Sequence, residues 1–284
     1  MGTLKRVLSG VVFVPILVLI SRYGGGWFLA LVDMILIVGL WEFYRLMEAK
    51  GLNPSKKVGV AATLVLSTLA YWYGPGQMGH WLALFLTSSV VVITIRELMR
   101  EQPAFPAYDI ATTAFGVIYV GWMLVHLVLL RELPRELGLP YSAGSAFLLY
   151  AFLMVWACDT GAYFVGLTFG RHRLLERVSP KKSVEGAIGG FASAVLAALW
   201  GRAWFVRDEF GLPYLAVGEA VVLGVLVGTL GQLGDLVESL LKRDARIKDS
   251  SDTIPGHGGI LDRFDSLMFG APVTYYFLRL VVFR

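Results

Sequence analysis

Apolar runs of about 20 residues follow one another along most of this chain, separated by short clusters of charge, proline and glycine. A helix rises about 1.5 Å per residue, so each run can cross a hydrocarbon core of about 30 Å. Lipid offers the backbone no hydrogen-bond partner, so such runs have to be helices that satisfy their own peptide groups. The composition agrees: 56% of the 284 residues are hydrophobic and 16% charged, against about a quarter charged in a soluble domain. With a mean hydropathy of +0.66, a disordered, collagen-like or secreted disulfide-scaffold chain is excluded. The single cysteine, Cys158, rules out an internal disulfide. A net charge of +4 is too mild to imply nucleic acid as a partner.

Nine spans are expected, near residues 7–22, 27–45, 58–74, 80–98, 109–130, 144–168, 184–205, 215–240 and 265–283. The fold class is therefore an all-α polytopic membrane protein. The first run follows Lys5 and Arg6 but lacks a clean small-x-small cleavage site and contains Pro15, so it reads as a retained span and not a signal peptide. Cytoplasmic loops retain positive charge. With the N-terminus inside, 18 of the 25 Lys and Arg residues fall on the cytoplasmic face and seven on the other. Nine spans then leave the C-terminus outside. The spans up to about residue 140 hold few ionisable groups, whereas the later ones carry acidic residues and the two most basic inner loops. The division expected is a helix bundle over 1–140 and a catalytic membrane region with a cytoplasm-facing site over 141–284. Small residues from Gly189 to Gly231 suit close helix packing in a bilayer.

A carboxylate within an apolar span costs about 2.5–3.5 kcal/mol on insertion scales, so several in one region need partners or a task. Asp159 lies in the sixth span, within FLMVWACDTGAYFVG. The eighth ends TLGQLGDLVESLLKR, where Asp235, Glu238 and Ser239 share part of one face, and ILDRFDS places Asp262 and Asp265 three apart. Charge balance would account for some of these, as Glu238 can pair with Lys242 one turn later. A divalent-metal site accounts for the set: hard cations such as Mg²⁺ take carboxylate oxygen, retain water and are shared with substrate phosphates. Asp235 and Asp262 are the best ligand candidates, each shortly following a glycine, Gly234 or Gly259. Asp33 and Glu42, in the second span, have no evident partner beyond the nearby Arg22 and Arg45.

The link between the last two spans, KRDARIKDSSDTIPGHGGILDRFDS, is dense in groups suited to phosphate. Gly256, Gly258 and Gly259 around His257 let backbone N–H groups approach an anion, and Lys242, Arg243, Lys248 and Arg263 supply positive charge. A second basic stretch, RVSPKKSVEGAIGG, precedes the seventh span. There Lys181, Lys182 and Ser183 stand at a helix start whose dipole suits a phosphate. His126 and His80 lie toward the opposite face and read as structural, and Cys158 reads as core packing.

Taken together, Ser239-x-x-Lys242-Arg243-x4-Lys248-Asp249, IPGHGG from Ile254 to Gly259, and Asp262-Arg263-x-Asp265 resemble the signature of the phosphatidate cytidylyltransferases, or CDP-diacylglycerol synthases. CDTGAYFVG, SPKKSVEG and GDLVES are similar to that family too, so the resemblance spans most of 150–270. It implies that CTP and phosphatidic acid give CDP-diacylglycerol and pyrophosphate on the cytoplasmic side of the membrane. It further implies Mg²⁺ with room for an accompanying K⁺, a homodimer, and a bacterial inner-membrane location. By motif position the metal-centre aspartates are Asp235 and Asp262, with Glu238 and Asp265 as further ligands. Lys242, Arg243, Lys248 and Arg263 would serve the phosphates catalytically. Asp159, Lys182, Ser183, Ser239, Asp249, His257, Gly258 and Gly259 would bind substrate. Two other readings stay open: a membrane CTP-dependent transferase or kinase acting on an ether lipid or polyprenol, and an ion-coupled transporter. One-sided clustering of the carboxylates and the lack of an internal repeat argue against the transporter.

Overall fold

A computed structural model describes residues 14–208, 211, 213–247, 250–251 and 258–284. Helix α1 covers Val14–Tyr23, and α2, Gly25–Glu48, follows after a turn at Gly24 and Gly25, both with positive φ. Helix α3 runs from Lys56 to Leu98 but is broken at Gly74 (φ 63°), immediately before Pro75. Forty-three helical residues would extend about 65 Å if straight, twice a bilayer core. The break instead makes two segments that correspond to the expected spans at 58–74 and 80–98. Proline removes an interior hydrogen bond and glycine supplies the non-helical φ.

Helices α4 (Pro106–Gly116) and α5 (Met123–Leu137) are joined without a loop by a π-helical turn, Val117–Trp122. Then come α6 (Ala143–Phe169), a two-stranded antiparallel hairpin of β1 (Arg173–Leu175) and β2 (Ser179–Ser183), α7 (Val184–Trp204), α8 (Val217–Asp244), and α9 (Leu261–Phe277), which ends in a π-helical turn, Leu278–Val282. Six helical stretches among the described residues are long and apolar enough to cross a membrane, α4 to α5 counting as one and α3 as one. The molecule is an all-α polytopic membrane protein. The hairpin departs from the sequence expectation, in which this stretch was an inner loop leading to a helix.

One apolar core joins both halves of the chain. Leu36, Leu40 and Phe43 of α2 belong to the same cluster as Leu124 and Val128 of α5, Phe147 and Phe152 of α6, and Phe264 and Met268 of α9. Outside it, Trp72, Leu98, Leu167, Leu196 and Leu280 stand exposed, the arrangement expected where lipid is the solvent. Trp27 and Trp204, near span ends, are likewise exposed. Helices α6, α7 and α8 approach one another closely through small residues: a Cβ at Gly189 would lie 2.4 Å from Val165, and one at Gly224 2.7 Å from the Val195 backbone. Cys158 is buried in this packing and its thiol points at the Gly228 carbonyl, 3.6 Å away.

Two acidic groups without a partner in sequence find one in space. Ser67 of α3 donates to Asp33, and Glu42 accepts from the start of α9. Neither depends on Arg22 or Arg45, the partners that sequence proximity offered.

Candidate active site

Helices α6, α8 and α9 bring their acidic residues to one end of the bundle, beside the hairpin. Asp159 and Asp235 face a cavity of about 570 Å³ that is also lined by Arg173, Lys181, Lys182 and Gln232. Lys182, on β2, is ion-paired with Asp235 of α8 across it. The cavity wall includes the N-terminus of α7, where the Ser183 side chain caps the helix by accepting from Gly186 N at 3.1 Å. Helix N-termini favour anions. Glu185 turns away and holds the hairpin's base, accepting from Arg171 N, His172 N and His172 Nδ1 at 3.0, 3.2 and 2.6 Å. Tyr163 and Leu167 of α6 give the cavity an apolar wall and are exposed on the outside of the bundle.

Next to the cavity stands a second acid–base group. Lys242 is paired with Glu238, one turn earlier on α8, and with Asp262 Oδ1 at 2.5 Å. All three side chains are nearly out of solvent, at 12%, 1% and 11% exposed, so two carboxylates share one ammonium in a poorly screened place. Asp262 Oδ2 accepts from Gly259 N (2.8 Å), Ser250 N (3.0 Å) and Ser250 Oγ (2.8 Å). The Gly258–Gly259 turn is thereby folded back onto the first turn of α9, with Gly258 at φ 77°. Asp265 accepts from Ser266 N at 2.6 Å, and Ser266 Oγ lies 3.4 Å from Asp159 Oδ1. Asp159, Asp235 and Glu238 are all close enough to Asp265 to repel it electrostatically.

Of the residues singled out from sequence, Asp159, Lys182, Ser183 and Asp235 meet at the cavity, and Glu238, Lys242, Gly258, Gly259 and Asp262 meet beside it. Ser239 Oγ is 3.5 Å from Asp235 Oδ1, a marginal hydrogen bond. Arg243 points elsewhere: its guanidinium reaches the carbonyls of Val178, at the hairpin, and Ile247. Arg263 is exposed. Lys248, Asp249 and His257 lie outside the described residues. Glu238–Lys242 is the i, i+4 pair that charge balance anticipated, yet Glu238 Oε1 remains buried with no hydrogen-bond partner among the described residues. Among those residues no three His, Cys, Asp or Glu side chains are gathered tightly enough to hold a metal ion.

Lys181, placed with Lys182 at a helix start by the sequence, also lines the cavity. Two contributions were not legible in the sequence. Arg173 reaches the cavity on the other strand of the hairpin. Tyr119, on the π-helical turn, is buried, its hydroxyl has no hydrogen-bond partner among the described residues, and it lies in the field of Asp235, Glu238 and Asp265. Single-turn π-helices recur at functional sites because the extra residue re-aims a side chain, and this one has no signature in VIYVGW.

The fold and this end of it define a class: a membrane-embedded protein with cations, a helix N-terminus and carboxylates around one cavity. The chain belongs to the cytidylyltransferase family, which matches residues 4–281. It resembles the phosphatidate cytidylyltransferase of Synechocystis sp. at 35% identity, across 98% of this chain and 97% of that protein. The phosphatidate cytidylyltransferase of Bacillus subtilis is 32% identical across 97% of each chain, and that of Staphylococcus aureus 33% identical across 95% of each. The likeness therefore extends over the first 140 residues as well as the signature.

Proposed function

We propose that this chain transfers the cytidylyl group of CTP to phosphatidic acid, giving CDP-diacylglycerol and pyrophosphate in phospholipid synthesis. The observation that carries this reading, beside family membership, is the cavity in which Arg173, Lys181, Lys182 and the α7 N-terminus face Asp159 and Asp235. In the reaction an oxygen of the lipid phosphate attacks the α-phosphorus of CTP, and the bond from that phosphorus to the β-phosphate oxygen breaks. The nucleophile is already anionic near neutral pH, so no strong base is required and His257 need not act as one. The difficulty is to bring two polyanions together. Lysine, arginine and helix N-terminal groups held in advance are the usual means of stabilising the charge on the transferring and departing phosphates. Tyr163 and Leu167 suit the apolar end of a lipid substrate entering from the bilayer.

Mg²⁺ fits these residues by two signs. Five carboxylates, Asp159, Asp235, Glu238, Asp262 and Asp265, surround two paired lysines, leaving an excess of negative charge, and Glu238 Oε1 is buried without a hydrogen bond. Their oxygens are the ligands a hard cation takes, and with no three gathered an ion would complete its shell from water and phosphate, as Mg²⁺ commonly does. Asp235 and Asp262 are the ligands proposed, and Glu238 and Asp265, which the sequence offered as further ligands, would meet the ion through its waters. When bound, such an ion neutralises phosphate oxygens as charge develops on them. K⁺, a homodimer, a bacterial inner-membrane location and a cytoplasm-facing site belong to the same proposal. The last is supported by the Lys and Arg asymmetry of the loops.

The test uses CTP labelled in turn at its α- and γ-phosphates, with phosphatidic acid, an ether-lipid phosphate and a polyprenol as acceptors. Cytidylyl transfer sends the α label into CDP-diacylglycerol and the γ label into pyrophosphate. The γ label in lipid would mean a kinase, and preference for either other acceptor would replace the substrate proposed.

A further inference from the structure

Glu42, on α2, is buried at 2% exposure and binds groups more than 200 residues away. Its Oε1 accepts from Ser251 Oγ at 2.5 Å and Ile260 N at 3.2 Å, its Oε2 accepts from Leu261 N at 2.8 Å, and Ser250 Oγ lies 3.2 Å from Oε2. Ile260 and Leu261 begin α9. The first N–H groups of a helix have no acceptor within it and carry the positive end of its dipole, so a carboxylate there is stabilising. An N-cap residue normally supplies that acceptor from its own side chain, and Ile260 has none to give. Glu42 supplies it from another helix.

The same carboxylate borders the Asp262 network. Ser250 Oγ lies 2.8 Å from Asp262 Oδ2 and 3.2 Å from Glu42 Oε2. A hydroxyl has one proton to donate, and the shorter distance gives it to Asp262. Ser251 and the two helix N–H groups are left to fix Glu42. No slack remains at this junction: a Cβ on Gly259 would lie 2.0 Å from Ser250 Oγ and 2.4 Å from Glu42 Oε2.

We propose that Glu42 is a positioning residue for the reaction: it locks Ser250, Ser251 and the first turn of α9 in the arrangement that aims Asp262 and the Gly258–Gly259 turn. The inference rests on the reading of Asp262 as part of the reaction site. It assigns the N-terminal bundle a part in the chemistry beyond membrane embedding.

The test compares full-length purified Glu42→Gln, Glu42→Asp and Ser251→Ala with Asp33→Asn, a carboxylate change on the same helix whose partner is Ser67. Each is assayed for kcat, KM for CTP, thermal midpoint in detergent and the rate of trypsin cleavage after the exposed Arg246. A misplacement of about 1 Å can cost about 10²-fold. Glu42→Gln is expected to lower kcat by about that factor with KM for CTP little changed, and to accelerate cleavage at Arg246. Glu42→Asp, which keeps the charge, recovers part of the loss, and Ser251→Ala loses about tenfold. Asp33→Asn keeps its turnover per folded molecule and its cleavage rate. The proposal is overturned if Glu42→Gln matches wild type per folded molecule, or falls no further than Asp33→Asn. Should Glu42→Gln not fold, wild-type behaviour of both Glu42→Asp and Ser251→Ala would overturn it. A wild-type protein without cytidylyl transfer would refute the function proposed above, and the trypsin comparison would still decide whether Glu42 anchors this segment.

Discussion

Replacing Gly259 by alanine tests how tightly the proposed reaction site is assembled. The added Cβ would stand 2.0 Å from Ser250 Oγ and 2.4 Å from Glu42 Oε2. Ordinary heavy-atom contacts are about 3.5 Å, so both oxygens would have to retreat by about 1 Å or more. Neither is free to do so. Ser250 Oγ is bonded to Asp262, and the Glu42 carboxylate caps α9 through Ile260 N and Leu261 N. Overpacking of this kind costs about 1–3 kcal/mol. A displacement of about 1 Å near reacting groups costs about 10²-fold in rate, equivalent to about 2.7 kcal/mol in the barrier. A domain with a stability of about 5–15 kcal/mol stays folded after such a loss, so the two effects separate. The assay measures turnover per folded molecule, with folding followed by thermal melting in detergent. A lowered midpoint and a turnover down by about 10²-fold are expected. Turnover within twofold of wild type would show that the Glu42, Ser250 and Asp262 network does not position the chemistry.

Lys182→Met removes a cavity cation at little cost to the fold, because an ion pair about 30% exposed at both ends contributes at most about 1 kcal/mol. A lost charge-assisted bond to phosphate is larger, about 1.5–3 kcal/mol, so kcat/KM for CTP should fall by about 10- to 10²-fold with the melting point nearly unchanged. Lys182→Arg should retain part of the activity, and equal melting and kinetic losses in the Met variant would reduce Lys182 to a partner of Asp235. Gly116→Ala should do the reverse: its Cβ would meet the Tyr44 ring at 2.5 Å, where Tyr44 donates to the Thr113 carbonyl. It is expected to destabilise by about 1–3 kcal/mol in a thermal or denaturant melt while turnover per folded molecule stays at the wild-type value.

The helices could be read from the chain because each apolar run has to satisfy its own backbone in lipid, and a run of that length leaves little choice of structure. Gly74 and Pro75 marked the break in α3 for the same local reason. Pairings between distant segments could not be read. SPKKS looks like a positively charged loop, yet it pairs with Arg173–Leu175 as β2 and so carries Lys181, Lys182 and Arg173 to the cavity. Glu42 stood out as a carboxylate with no evident partner, but its partners could not be read because they lie 208 to 219 positions away. The acidic residues were conspicuous individually, since a carboxylate in an apolar run is costly. Which of them share Lys242 and which face the cavity depends on how α6, α8 and α9 pack. Arg243 shows the limit of reading charge alone, as it stands in the basic signature but spends its donors on the carbonyls of Val178 and Ile247.

The most direct measurement incubates detergent-purified protein with phosphatidic acid, CTP and Mg²⁺ and follows lipid-linked cytidine and pyrophosphate together, with EDTA-treated and Asp262→Asn samples alongside. Stoichiometric release of the two products, lost in both controls while Asp262→Asn remains folded, is the result expected. Absence of product from folded wild-type protein, or undiminished turnover in the controls, would contradict cytidylyl transfer at this carboxylate site.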